Sequence, residues 1–197
     1  MDFDEFYHEL AACRKCALHG HFIGSQPIFC GHAGEAFMVV GQAPGRHEAT
    51  VTHMPFSGPA GKRLFRWLAE AGFDETHFRS TQAMVAITRC YPGPHPAGRG
   101  DRVPSREEQA LCAPWLEQEL ALIQPHVLIL VGRLAIGRFL GDQALTELVG
   151  QQFARDGRVL VPLPHPSGAS QWFNAPDNKL RLARALALLS QLRTELV

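Results

Sequence analysis

Four cysteines restrict what this chain can fold into more than any other feature. Cys13 and Cys16 form a close pair near the start, and Cys90 and Cys112 form a wide pair in mid-chain. A proline-rich tract follows Cys90, and Pro104-Ser105-Arg106-Glu107-Glu108 precedes Cys112. If the two pairs converge on one metal centre, the N-terminal segment is pinned to the middle of the fold. C-x-x-C lets two thiolates face one ion, the common half-site of both zinc and iron–sulfur centres. The alternative is four buried thiols that pack as small apolar side chains. Cys30 is surplus to the pattern and reads as a core or loop thiol.

The chain has 197 residues, enough for one well-buried core, and no repeat, linker or low-complexity tract divides it. A single domain over 1–197 is therefore expected. The 19 Lys and Arg balance the 19 Asp and Glu. That argues against nonspecific nucleic-acid binding over the whole surface but leaves room for a local basic stripe. No apolar run reaches the roughly 20 residues of a membrane span. Met1-Asp2-Phe3-Asp4-Glu5 is acidic and lacks the order of a signal peptide. The expectation is a cytoplasmic monomer with no membrane partner, in which cysteines serve as thiols or metal ligands.

Apolar runs at 36–40, 83–87, 126–131 and 159–163 read as four strands. Helices are expected over 3–12, over 59–72 after an early Pro59, over 106–123 behind the capping box Ser105-x-x-Glu108, over 134–140 and over 176–196. Residues 17–35 and 91–104 read as loop, the latter with four prolines and three glycines. Strands alternating with helices predict an α/β fold. It is a three-layer domain whose central, mainly parallel four-stranded sheet is flanked by helices. Ligands of such sheets gather beyond the carboxyl ends of the strands. This brings Gly41–Gly45, the segment near Cys90 and the stretch after His165 to one edge.

Several segments there carry chemistry. Gly41-Gln42-Ala43-Pro44-Gly45 follows the first strand, and a Gly-Pro-Gly turn lets backbone approach a sugar or base closely. Phe56 sits in the loop-like Pro55-Phe56-Ser57-Gly58, which suits stacking better than core packing. His165-Pro166-Ser167-Gly168 ends the last strand.

In order and spacing these segments resemble the uracil-DNA glycosylase superfamily in its iron–sulfur branch, families four and five. Gly41 to Glu48 is similar to the first active-site motif, Pro55 to Gly61 to the Pro-Phe-x-Gly-x-Ala-Gly segment, and His165-Pro166-Ser167 to the last motif. The resemblance implies a DNA glycosylase that flips uracil, or another deaminated base, out of DNA and hydrolyses its N-glycosidic bond by water attack at C1′. It implies catalytic roles for His165, Gln42 and Glu48, base contacts from Phe56, Ala43, Gly41 and Ala86, and DNA contacts from Ser167, Gly168 and Trp172. It also implies a 4Fe-4S cluster held by Cys13, Cys16, Cys90 and Cys112.

The chain departs from the family-four pattern at several positions. Gln42 stands where Glu is usual. Ala43 occupies a position where other branches carry Asp or Asn. Ala86 replaces the Asn that reads uracil, as in family five. Gly168-Ala169 replaces an apolar wedge, which leaves Trp172 as the nearby candidate. The rival readings are a nucleic-acid-binding module stapled by an iron–sulfur cluster without useful catalysis, and a hydrolase of free nucleosides. Lys62, Arg63, Arg66, Arg99, Arg102 and Arg106 are either solvated charges or phosphate contacts.

Overall fold

The computed structural model describes residues 2–31, 36–98, 100–167 and 171–196. Among these, the sheet has five strands in the order β2-β1-β3-β5-β4. These are β1 (Phe37–Gly41), β2 (Ala83–Ala86), β3 (Val127–Val131), β4 (Phe153–Arg155) and β5 (Arg158–Leu163). β2, β1, β3 and β5 run parallel, and β4 pairs antiparallel with β5. The predicted α/β architecture stands, with one strand more than the four expected. β4 has three half-buried or exposed residues and carries no apolar run. Its signal lay in the turn: Asp156 (φ 49°) and Gly157 (φ 74°) both take positive φ, which is what a tight Asp-Gly hairpin requires.

The helices are α1 (Phe3–Ala11), α2 (Lys15–Leu18), α3 (Pro59–Glu70), α4 (Glu75–Thr81), α5 (Arg106–Ile123), α6 (Arg133–Leu140), α7 (Leu145–Leu148) and α8 (Pro176–Leu196). α2, α4 and α7 were not expected. α4 is capped by Asp74, whose Oδ1 accepts from His77 N at 2.8 Å, a local arrangement that substitutes for a long periodic pattern. The expected capping box of α5 forms, with Glu108 N donating to Ser105 Oγ at 3.1 Å and Ser105 N donating to Glu108 Oε2 at 2.7 Å.

Strand side chains alternate between two apolar layers. Phe37, Val39, Ile129, Val131, Val161 and Leu163 pack with α3 and α8. Met38, Val40, Val85, Leu128, Leu130 and Leu160 pack with α5 and α6. Both faces are covered, so the parallel strands read as continuous apolar runs. A third cluster joins Phe6 and Leu10 of α1 to Cys112 and Trp115 of α5, fastening the N-terminal helix to mid-chain. None of the described helices is long and apolar enough to cross a membrane.

Candidate functional site

Because β1, β2, β3 and β5 are parallel, their carboxyl ends share one edge. A cleft of about 1090 Å³ opens there, floored by Gly41, Ala86, Val131 and His165. Gln42, Ala43, Glu48, Phe56 and Ser167 also line it. Sequence positions spread over more than a hundred residues thus meet in one place.

Phe56 sits against Gly41. A Cβ on Gly41 would lie 2.6 Å from Phe56 Cζ, and one on Gly61 would lie 1.7 Å from the Phe56 carbonyl oxygen. Both glycines are therefore required by the closeness of this aromatic loop. Phe56 itself takes a positive φ of 51°, an uncommon conformation for a bulky residue. Arg79 secures it: the guanidinium donates to Pro55 O and Phe56 O, both at 2.8 Å, and lies over the Phe65 ring at 4.2 Å. Arg79 was not anticipated. A lone arginine on a short helix carries no sequence pattern that marks it as a loop anchor.

Glu48 is buried, and its carboxylate bridges two segments. Oε2 accepts from Gly45 N at 3.1 Å and Oε1 from Gly58 N at 3.0 Å. It ties the turn after β1 to the start of α3. The intervening chain passes through a single π-helical turn, Glu48–Thr52.

His165 is half-buried two residues beyond β5. Its Nδ1 lies 3.2 Å from Ser167 N, whose hydrogen it must accept. The ring proton of the neutral imidazole is thereby assigned to Nε2. Burial pushes the His165 pKa below its ordinary value, so the neutral form persists. A Cβ on Gly132 would lie 3.0 Å from His165 Cδ2, so glycine at the end of β3 leaves room for the ring.

Ala86 and Gly41 are paired across β2 and β1, and Gln42 stays next to this floor through Thr88 N, which donates to Gln42 O at 3.2 Å. Ser167 is held to α3 by Arg63, whose Nη1 donates to Ser167 O at 3.2 Å. Trp172 is half-buried and packs against the core and edge-on against Phe173, and its buried indole Nε1 has no hydrogen-bond partner among the described residues. It is not part of the cleft lining. Gly168 and Arg99 fall outside the described residues. Arg46, Lys62, Arg63 and Arg66 line the cleft, the local basic stripe that a neutral net charge had left open. Arg102 is not simply solvated: it makes two 2.6 Å bonds to the two oxygens of buried Glu108.

Cys13, Cys16, Cys90 and Cys112 all line a second cavity, beside α1 and α5. Burial, and then the charges of neighbouring thiols, push Cys16 up to about 11 and Cys90 up to about 12. Trp115 Nε1 donates to Cys13 Sγ at 3.2 Å. Among the described residues no three His, Cys, Asp or Glu converge closely enough to hold a single metal ion. Cys30 lies elsewhere, bridged through its backbone to Met84, with Sγ 3.5 Å from Arg79 O.

Behind Cys90, Arg89 and Glu119 form an ion pair with side chains 1% and 0% exposed. Arg89 also donates to Ala86 O at the cleft floor, and Tyr7 OH donates to Glu119 Oε1 at 2.7 Å. This link between the cysteine cavity and the cleft was also not anticipated. Its members come from three distant segments.

Comparison with known proteins agrees with this geometry. Residues 29–189 match the uracil DNA glycosylase superfamily. The chain is 29% identical over 159 residues to a type-4 uracil-DNA glycosylase of Pyrobaculum aerophilum, covering 81% of this chain and 72% of that protein. It is 33% identical over 132 residues to one of Archaeoglobus fulgidus, covering 67% of this chain and 60% of that protein. It is 30% identical over 172 residues to a type-5 uracil-DNA glycosylase of Thermus thermophilus, covering 74% and 75%. With the matching segments forming its cleft, the chain belongs to the uracil DNA glycosylase superfamily.

Proposed function

We propose that this protein is a base-excision repair glycosylase that releases uracil from DNA. The observation that carries this reading is that Phe56 and His165 line one cleft at the strand ends, with Phe56 packed on Gly41. A flipped base stacks on Phe56, a contact worth about 1–3 kcal/mol and tolerant of base identity. Ala43 and Ala86 are small enough to let the base approach the backbone, while Gly41 makes room for the Phe56 ring. His165 presents its Nε2–H to the O2 atom of the departing base and so stabilises the developing anion. Its neutral state suits a donor that need not give up its proton.

Gln42 orients the water or contacts the pyrimidine edge, since its amide offers donors and an acceptor but takes up no proton. Glu48 serves by shaping the turn, as both its oxygens already accept backbone N–H groups. Ser167 and Gly168 contact a phosphate of the flipped nucleotide, with Arg46, Lys62 and Arg66 adding sequence-independent attraction. Trp172 packs against the core and Phe173 and does not act as a free wedge.

The four-thiol cavity fits a 4Fe-4S cluster. All four thiols line one cavity, and a cluster of this kind takes four cysteine thiolates as its ligands. Trp115 supplies the N–H···S bond that such clusters accept. The cluster's role is structural: it closes the long loops between residues 13 and 112.

Removal of the uracil-reading Asn leaves Ala86, which imposes no unmet polar group on a wrong base; such a group costs about 1–3 kcal/mol. The expected enzyme is therefore broad, cutting uracil best in mismatches and at least one other deaminated base measurably. Oligonucleotides carrying uracil, hypoxanthine or xanthine, scored after alkali, test this. Strict uracil cutting, equal in paired and mismatched DNA, would refute the relaxed pocket. Binding without release of any base would favour a nucleic-acid-binding module.

A further inference from the structure

Cleavage of a glycosidic bond leaves positive charge at the sugar's C1′ and a proton to be taken from the attacking water. The turn after β1 supplies no group for either task, since Gln42 and Ala43 do not ionise. Among the described residues the cleft is lined by two carboxylates, Glu48 and Asp101. Glu48 accepts one backbone N–H on each oxygen, as a tie between Gly45 and Gly58, and it is buried, whereas Asp101 is exposed.

Asp101 is placed differently. Residues 93–98 and 100–102 lie side by side through His95 N donating to Gly100 O at 2.9 Å and Arg102 N donating to Gly93 O at 3.0 Å, with a bridge between Pro94 and Asp101. This clasp sets the exposed Asp101 at the cleft mouth, over the turn after β1. Its Oδ2 lies 3.1 Å from the point a Cβ on Gly45 would occupy and accepts from Arg46 N at 3.3 Å. Its Oδ1 accepts from Tyr91 OH at 2.8 Å. Burial and this bond to Asp101 push the Tyr91 hydroxyl up to about 12, so Tyr91 remains a donor. Two accepted bonds orient the carboxylate and leave about two of its four lone-pair sites open. The neighbouring Arg102 is engaged by Glu108, so it does not neutralise Asp101 directly.

We infer that Asp101 is a catalytic residue of this glycosylase, stabilising the cationic sugar and accepting the proton of the attacking water. The inference rests on the glycosylase reading above. The C1′–N bond breaks and its electron pair leaves on the base, held by His165. The water oxygen bonds to C1′ while one of its protons passes to Asp101. Asp101 then returns its proton to solvent and the base anion takes one up from solvent, and the second product is the C1′ hydroxyl sugar in the intact strand.

Single-turnover release from uracil DNA, with affinity for a duplex carrying non-cleavable 2′-fluorinated uridine, tests it. Asp101→Asn should slow release by about 10²-fold or more, the usual range for a positioned acid–base group. Its affinity and thermal midpoint should stay near those of the parent. Asp101→Glu, which restores the charge, should recover at least about tenfold over Asp101→Asn, a further part of that same range. An Asn variant as fast as the parent overturns the assignment. So does one whose slowing is matched by weakened affinity or stability and is not relieved by Glu. A parent protein that releases no uracil would instead overturn the glycosylase reading, and this role with it.

Discussion

At the residue scale, the informative feature of His165 is its tautomer. Ser167 N donates to Nδ1 at 3.2 Å, so Nε2 carries the ring N–H, the donor proposed to face O2 of the departing base. His165→Ala should lower single-turnover release by roughly 10²–10³-fold, as loss of one such donor typically does, with DNA affinity nearly intact. Burial lowers the His165 pKa, and the sign of the pH effect follows. As pH falls below about 6.5, the unfolded chain takes up a proton that the folded site resists, so this residue's contribution to stability is lost towards acid. Above that pH the contribution is complete. Thermal midpoints against pH should fall more gently on the acid side for His165→Gln than for the parent. Identical slopes would remove the effect.

The motif residues were legible because their types are tied to position: glycine where Phe56 needs space, histidine at a strand end. Asp101 was not legible, because a lone aspartate in a Pro- and Gly-rich stretch looks like any turn residue. Only the backbone pairing of Gly93, Pro94 and His95 with Gly100, Asp101 and Arg102 shows which turn it faces.

At the scale of elements, the Arg89–Glu119 pair joins the segment after β2 to α5, and Tyr7 brings in α1. Both charges are almost wholly removed from solvent. Breaking such a pair leaves one buried charge uncompensated, at a cost of about 3–5 kcal/mol. Glu119→Ala should therefore lower urea-unfolding stability by that order. Arg89→Met combined with Glu119→Leu, which removes both charges, should recover much of the loss. If Glu119→Ala costs less than about 1 kcal/mol, the pair is better solvated than its burial indicates.

The elements were legible where periodicity or capping was strong. α3, α5 and α8 start at the expected residues, behind Gly58-Pro59, Ser105 and Ala175-Pro176. α4 and β4 escaped because seven and three residues are too short to show a period. Their markers were single residues, Asp74 and the Asp156-Gly157 turn.

For the whole molecule, two predictions test the assembly of distant parts. The purified protein should be brown, with broad absorption near about 400 nm from thiolate-to-iron charge transfer. Cys90→Ser or Cys112→Ser should lose colour and folding yield, whereas Cys30→Ser should keep both. Metal analysis giving zinc without iron would replace the cluster with another centre. The cleft's basic lining predicts DNA binding that weakens with salt despite a net charge of zero. Lys62→Gln or Arg66→Gln should reduce the slope of log affinity against log salt by about 1 for each phosphate no longer neutralised, evenly across sequences. An unchanged slope would place the DNA elsewhere.

By itself the sequence determined the α/β class, the parallel strands, the cysteine framework and the motif residues at the strand ends. Each of these is written locally, in apolar runs, caps and short spacings that one stretch of chain can enforce. The tertiary structure decided what those residues can do. It tied both Glu48 oxygens to backbone, anchored Phe56 through Arg79, packed Trp172 against the core and brought Asp101 over the turn after β1. Such choices depend on which segments meet, and that is settled by burying both faces of the sheet together.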